Sequence, residues 1–312
     1  MPELPEVESV RRGLVQHAAG QRIHSVQTFG NRVIRYAPAG LQSVIGARIR
    51  AVARRGKFLW FELDDAAGSW AGNASSAAGA ADGCGGPSLA LVAHLGMSGQ
   101  FRVDSEPERH LRARLLFENG TRLDFIDQRT FGYLAPAALV PTPDGDRGGE
   151  GSTGPYIPAN IVHIARDVLD PALNVPEFER ALGAKRTAVK TALLDQTLIS
   201  GVGNIYADEA LFRAGIHPRQ PASTLKMVEI TRLLDALGEV LREALRAGGT
   251  SFDALYVHVN GESGYFERSL RVYGRAGKQC LQCGGVVKRI MQGGRSASFC
   301  PCCQPLRRRK LR

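Results

Sequence analysis

The chain has 312 residues, 44% hydrophobic and 22% charged, enough to bury more than one core and ordinary for a globular protein. It holds no run of about 18 apolar residues, and it opens on Pro2 and Glu3 rather than on a basic stretch followed by an apolar one, so neither a transmembrane helix nor a signal peptide is expected and the cytoplasm is the expected compartment. Lys and Arg outnumber Asp and Glu by 40 to 30, an excess that points weakly to a polyanionic partner such as nucleic acid.

The first predicted element is a helix over residues 4–19, with Val7, Val10, Leu14 and Ala18 on one face, Pro5 in the first turn and Gly20 to end it. Strand signals follow at 56–63, at 89–95, and at 112–118 and 121–126, the last two joined by Asn119-Gly120, a favoured hairpin turn. Residues 64–88, rich in Ala, Gly and Ser, read as a flexible insertion, and 141–160, rich in Pro and Gly, as a linker. Helical patterns then run over 177–182, 188–199 and 205–214, with Gly201-Val202-Gly203-Asn204 as a break before the last. A long helix is expected from an N-cap at Ser223 to about 247, where Gly248-Gly249 stops it. Short strands and turns close the chain. The expected domains are 1–140 (β-rich), 141–165 (linker), 166–262 (helical) and 263–312 (metal module and basic tail).

Cys280-x2-Cys283 and Cys300-x2-Cys303 stand sixteen residues apart. Each pair suits a knuckle that gives two thiolates to one tetrahedral ion, and four thiolates leave no open position for water, so one structural zinc per chain is expected. Cys300-Pro301-Cys302-Cys303 offers three thiols for two places; spacing assigns Cys303. Arg295 falls at the predicted tip of the intervening hairpin, where it can meet a phosphate.

The N-terminus carries the most unusual chemistry. A small second residue permits loss of Met1, which would leave Pro2 as a secondary amine titrating near ~8 and partly neutral at pH 7. Attack on an aldehyde-like carbon would give an iminium, an electron sink, and Glu3 alongside could move protons. Taken alone, Pro2 reads more simply as a helix-leading residue.

The opening Pro2-Glu3-Leu4-Pro5-Glu6-Val7-Glu8 resembles that of the formamidopyrimidine-DNA glycosylases, and the likeness covers nearly the whole chain. The family's landmarks recur in order: Arg55-Gly56-Lys57; His94-Leu95-Gly96-Met97-Ser98-Gly99; Asp127-Gln128-Arg129-Thr130-Phe131-Gly132; Leu194-Asp195-Gln196; Gly201-Val202-Gly203-Asn204-Ile205-Tyr206; Gly264-Tyr265-Phe266; Val272-Tyr273-Gly274-Arg275; and the four cysteines. The resemblance implies an α+β multidomain fold: an N-terminal helix with a β-sandwich, a helix–two-turn–helix domain and a C-terminal four-cysteine zinc finger. It implies a monomeric repair enzyme that removes oxidised purines, 8-oxoguanine and formamidopyrimidines, from double-stranded DNA and then nicks the abasic site.

It also implies roles. Pro2 is the expected Schiff-base nucleophile, Glu3 the acid/base, Glu6 a supporting carboxylate and Lys57 a lysine that assists β-elimination. Arg295 matches a finger arginine tied to δ-elimination, although a guanidinium is a poor acid and a phosphate clamp is chemically easier. Met97, Arg129 and Phe131 match the residues that fill the gap left by an everted nucleotide. His94, His110, Lys185, Lys190 and Asn204 match or neighbour DNA-contacting positions, and 250–264 resembles a loop that closes over the extruded base. Departures are the insertions, the segment 163–170, and Cys302 where the family has another residue. The competing expectations are an endonuclease VIII-like enzyme for oxidised pyrimidines and a non-catalytic zinc-finger DNA-binding protein.

Overall fold

The computed structural model describes residues 2–35, 40–64, 88–106, 109–249 and 266–307. Residues 65–87 of the insertion, the loop expected at 250–264 and the end of the basic tail lie outside them. The chain divides into two units: Met1–Pro2 with Val7–His163 and Asp253–Ser263, and Glu3–Glu6 with Ile164–Phe252 and Gly264–Arg312.

In the first unit, helix α1 (Leu4–Ala18) buries Val7, Val10, Leu14 and Ala18 on the predicted face, and Gly20 follows with φ of 82°. Eight of the nine strands after it run β1 (Ile23–Thr28), β2 (Arg48–Arg55), β3 (Phe58–Asp64), β4 (Leu89–His94), β5 (Gly99–Val103), β6 (Leu111–Phe117), β7 (Arg122–Asp127) and β8 (Tyr133–Pro141). The ninth, β9 (Tyr156–Pro158), completes an antiparallel five-stranded sheet ordered β2-β3-β4-β8-β9, while β1-β6-β7-β5 form a four-stranded one. One core fills the space between the sheets and α1. Strand alternation explains its composition: Leu59, Phe61 and Leu63 of β3 point into it, and Phe61, Phe101 and Phe125 meet ring to ring at 6.0 and 5.1 Å.

The other face of β3 is also buried. Residues 141–160, read from their composition as a linker, instead close over it. The Thr153 hydroxyl donates to the Glu62 carboxylate at 2.6 Å, and Arg54 and Glu150 exchange backbone N–H···O bonds of 2.9 Å. Backbone pairing and a buried carboxylate, rather than apolar periodicity, hold this segment, so a hydrophobic pattern gives no sign of it. Beneath it, the buried Glu8 carboxylate accepts from Arg11 and from Arg54 Nε at 3.0 Å. Burial alone would raise the Glu8 pKa, but the two guanidiniums overcome it and hold it at about 2.

The β6–β7 hairpin forms where expected, with a different turn. Phe117 and Thr121 close it, leaving three loop residues, and only Gly120 takes a positive φ, 88°. A two-residue turn of the favoured type needs positive φ at both positions, and Asn119 instead spends its side chain on Thr121 N at 3.0 Å.

The second unit is built on α2 (Val175–Ala184), α3 (Val189–Leu193), α4 (Asn204–Arg213) and α5 (Met227–Arg246) around their own core. Asn174 caps α2 by accepting from Glu177 N at 3.1 Å. The pattern at 188–199 yields only the short α3, because the chain turns at Asp195, whose carboxylate takes up Thr197 N–H and hydroxyl. Ser223 does not cap α5: it lies in a 3₁₀ turn over Ala222–Thr224, and the helix starts where Glu229 reaches back to Lys226 N at 2.8 Å. The last elements, β10 (Lys288–Gln292) and β11 (Arg295–Phe299), pair across Gly293-Gly294, with φ of 55° and 75°. No helix among the described residues is long and apolar enough to cross a membrane.

Candidate active site and DNA interface

In the second unit the site is organised by α4. The Glu3 carboxylate sits at its first turn, accepting from Gly203 N at 2.7 Å, Ile205 N at 2.9 Å and Tyr206 N at 3.4 Å. Unpaired N–H groups and the positive end of the helix suit an anion there. The glycines make the approach possible: a Cβ on Gly203 would lie 2.3 Å from Glu3 Cδ. Glu3 N in turn donates to Glu6 Oε2 at 2.9 Å, and Glu6 Oε1 accepts from the Tyr206 hydroxyl at 2.6 Å. Thus Glu6 aims the backbone that carries Glu3. Pro2, one peptide bond earlier, is buried.

Asn204, the first residue of α4, has a buried side-chain oxygen without a partner among the described residues, and its side chain is hydrogen-bonded to Tyr273. Turning the amide over would pair the oxygen with the Tyr273 hydroxyl. Tyr273, within the Val272-Tyr273-Gly274-Arg275 motif, joins the site only through the fold, since 69 residues separate it from Asn204.

The finger hangs from the same helix. Glu209 accepts from the N–H groups of Arg271, Val272 and Tyr273 at 2.8–2.9 Å, and Asp208 accepts from Ser298 N at 2.8 Å. Lys190, expected to face DNA, is instead almost wholly buried. Its ammonium lies 2.6 Å from both Asp208 and Ser296 O. Burial raises the Asp208 carboxyl to about 7 against the pull of Lys190, and burial likewise lowers Lys190. A lysine so enclosed joins α3, α4 and the hairpin rather than meeting solvent or DNA. Lys185 is half-exposed and bonds Asp195 at 2.7 Å. Arg295 is exposed at the start of β11, beside the hairpin tip.

The sulfurs of Cys280, Cys283, Cys300 and Cys303 all lie within 4.8 Å of one another. Four thiolates so gathered fit the tetrahedral sulfur shell of zinc, whereas Cys302 is exposed and outside the set. These four would hold the ion, which fixes the hairpin and leaves no coordination position for chemistry.

In the first unit two loops are bound to one carboxylate. Asp127 accepts from the Ser98 hydroxyl at 2.5 Å, Arg129 N at 3.1 Å and Gly132 N at 2.7 Å. This ties the turn bearing Met97 to the loop bearing Arg129 and Phe131, so closely that a Cβ on Gly96 would stand 2.4 Å from Gly132 N. Phe131 is left 52% exposed, with the Arg129 guanidinium 5.6 Å from its ring centre, and Met97 is half-buried. Thr130 and His110 adopt positive φ of 55° and 73°, a cost that loops bear where side-chain direction matters.

Lys57 lies buried in the β2–β3 turn. His94 stacks on Tyr133 (5.6 Å) with Phe58 tilted against its ring (4.8 Å), and its Nδ1 accepts from Gly96 N at 3.1 Å, so in the neutral ring Nε2 carries the proton. Burial first, then the charges of Lys57 and Arg35, lower the His94 pKa to about 4.

A helix-and-sheet unit, a helix–two-turn–helix unit and a four-cysteine finger together define a DNA-repair glycosylase architecture. Family models for the formamidopyrimidine-DNA glycosylase N-terminal domain, its H2TH domain and the zinc finger found in FPG and IleRS match residues 1–134, 164–255 and 277–306. Formamidopyrimidine-DNA glycosylases of Acidothermus cellulolyticus and Mycobacterium ulcerans are 49% and 45% identical, each over 99% of this chain and 99% and 100% of their own. The crystal structure of the MutM (Fpg) protein from Thermus thermophilus superposes with a TM-score of 0.77 at 36% identity, covering 98% of this chain and 100% of that one. Lactococcus lactis Fpg in complex with DNA containing an abasic site gives 0.75 at 29% identity, over 97% and 99%. The chain belongs to the formamidopyrimidine-DNA glycosylase family, and is thus a zinc-finger DNA-repair enzyme, a glycosylase for oxidised bases that is also an abasic-site lyase.

Proposed function

We propose that the chain excises oxidised purines, 8-oxoguanine and formamidopyrimidines, from double-stranded DNA with the amine of Pro2 and then cleaves the strand by β,δ-elimination. The observation that carries the reading is Glu3, covalently next to Pro2 and held by three N–H groups at the start of α4. With Met1 removed, the Pro2 nitrogen attacks C1′ of the damaged nucleotide, the C1′–N bond breaks, and the purine leaves with a proton. Glu3 exchanges protons with the opening sugar. The resulting iminium acidifies the C2′ proton; its loss expels the 3′ phosphate, and a second elimination expels the 5′ phosphate. Hydrolysis of the iminium frees Pro2.

The other roles follow from chemistry. Lys57 assists the first elimination. His94, neutral with Nε2–H as donor, His110, Asn204 and Lys185 hold phosphates, Lys185 by exchanging its partner Asp195. Arg295 clamps a phosphate near the second elimination. Flipping a base costs a few kcal/mol of stacking, and Met97 and Phe131 offset part of that by filling the gap while Arg129 reads the orphaned cytosine. The enzyme acts as a cytoplasmic monomer.

The test is borohydride trapping on duplexes carrying 8-oxoguanine, thymine glycol or an abasic site. A covalent adduct, fastest with 8-oxoguanine opposite cytosine and lost when Met1 is retained, is expected. Preference for thymine glycol would move the enzyme to oxidised pyrimidines. An active enzyme whose intact mass still includes Met1 would overturn the Pro2 mechanism.

A further inference from the structure

We propose that a cavity of about 330 Å³ in the first unit is a subsite for a backbone phosphate and its sugar in the DNA strand opposite the lesion. Phe29, Arg32, Arg112 and Thr130 line it. The inference rests on the reading of Arg129 as the residue that meets the orphaned base.

The walls of the cavity belong to the sheet and to the Asp127 loop. Phe29 N donates to Arg112 O at 2.8 Å, which extends the β1–β6 pairing to the rim, and Arg112 Nε donates to Asp127 O at 2.8 Å. That second bond orients the Arg112 guanidinium and leaves its two terminal nitrogens without a partner among the described residues. Arg32, exposed, likewise has no ion pair or hydrogen bond there. The one carboxylate in the wall, Asp127, has its oxygens taken by Ser98, Arg129 N and Gly132 N, so two guanidiniums face it and the cavity keeps a net positive charge with free donors. Paired guanidiniums match the oxygens of a phosphate.

Phe29 is 42% exposed at the mouth. An apolar ring beside two cations suits a phosphate that carries a sugar better than a free inorganic anion. Thr130, the next residue after Arg129, forms part of the wall with a positive φ of 55°. A ligand here therefore lies one residue from the side chain that meets the orphaned base, and the strand that supplies this base supplies the phosphate.

The test measures binding of duplexes with a stable abasic-site analogue as a function of salt, for wild type, Arg32→Ala and Phe29→Ala. In parallel, single phosphates opposite the lesion are replaced by neutral methylphosphonates. Arg32→Ala should keep the wild-type melting temperature, bind about 10-fold more weakly at low salt, and reduce the slope of log K against log salt by about 0.9, one phosphate contact. One methylphosphonate should weaken the wild type by a similar factor and leave Arg32→Ala unaffected, and Phe29→Ala should weaken binding without changing the slope. An unchanged slope in Arg32→Ala, or methylphosphonate effects that add to it in full, would overturn the subsite. Inhibition of the wild type by free deoxycytidine monophosphate, lost in Arg32→Ala while the salt slope stays the same, would overturn its assignment to the DNA strand. Borohydride trapping and cytosine preference of the wild type on the same duplexes test the underlying reading separately, because neither depends on the Arg32 slope.

Discussion

The loops bearing Met97, Arg129 and Phe131 rest on a core that fills the space between two sheets, whereas the hairpin bearing Arg295 rests on a cluster of five buried residues, Phe212, Val272, Cys280, Val287 and Cys300. The first kind of support is mostly generic, many apolar contacts each replaceable at moderate cost, with the single carboxylate of Asp127 tying the two loops together. The second is particular. Buried carboxylates receive backbone N–H groups, a buried lysine bridges three elements, and four thiolates gather around one metal. A small module cannot bury enough apolar area to order itself, so a few polar and metal bonds carry the load and each becomes harder to replace.

The largest contrast is expected from the metal. Cys280→Ser should release zinc and abolish duplex binding, because binding of a structural zinc is worth about 10–16 kcal/mol in small fingers. Metal analysis and anisotropy check this, and full binding by metal-free protein would erase the contrast. Next comes Glu8→Ala, which leaves Arg54 buried beside an empty place. A loss of roughly 3–5 kcal/mol is expected, read by urea unfolding with zinc content unchanged. The same group gives a pH signature. The Glu8 carboxyl is depressed from 4.5 to about 2 in the folded chain, so its contribution is complete above 4.5 and disappears as the pH falls from 4.5 towards 2. Wild type should lose stability over that window more steeply than Glu8→Gln.

Glu209→Gln strips the charge from a group receiving three N–H bonds. About 1.5–3 kcal/mol is expected, seen as earlier hydrogen exchange at Arg271–Tyr273 while the sheets stay protected. Smaller still is the effect at His94. Its folded pKa of about 4 lies below the ordinary 6.5, so the stability it lends is present above 6.5 and lost as the pH falls from 6.5 to 4. DNA affinity should show no His94 break near 6.5, and His94→Gln, which keeps an N–H donor, should bind within about 3-fold of wild type. Cys302→Ser should change zinc content least of all; zinc loss there would show that the thiol shares the metal.

Much of this was legible in the residues. The face of α1, the β6–β7 hairpin and the four ligands announce themselves through spacing, because periodicity and metal geometry both repeat at fixed intervals. Gly201 and Gly203 were legible as a break before α4, but that they make room for Leu4 and Glu3 of the same chain was not. What stayed hidden was long-range polar pairing. Nothing near Lys190 in sequence announces Asp208 and Ser296, so an apparently available cation proved to be a buried brace. Likewise nothing in 141–160 predicts that Glu150 and Thr153 seal the back of β3, since hydrogen bonds to a distant strand leave no local period.

Helix α4 has a further consequence. One rod of ten residues, about 15 Å long at 1.5 Å per residue, holds the Glu3 carboxylate at its first turn and the finger through Asp208 and Glu209 farther along. The Glu3 carboxylate and the hairpin bearing Arg295 are therefore indexed to a single axis. A one-residue deletion within α4 would turn every later side chain by about 100° about that axis, misdirecting the finger while leaving the Glu3 cradle whole. Chain added between β3 and β4 belongs to the other unit and does not alter the spacing between Glu3 and Arg295 along this axis.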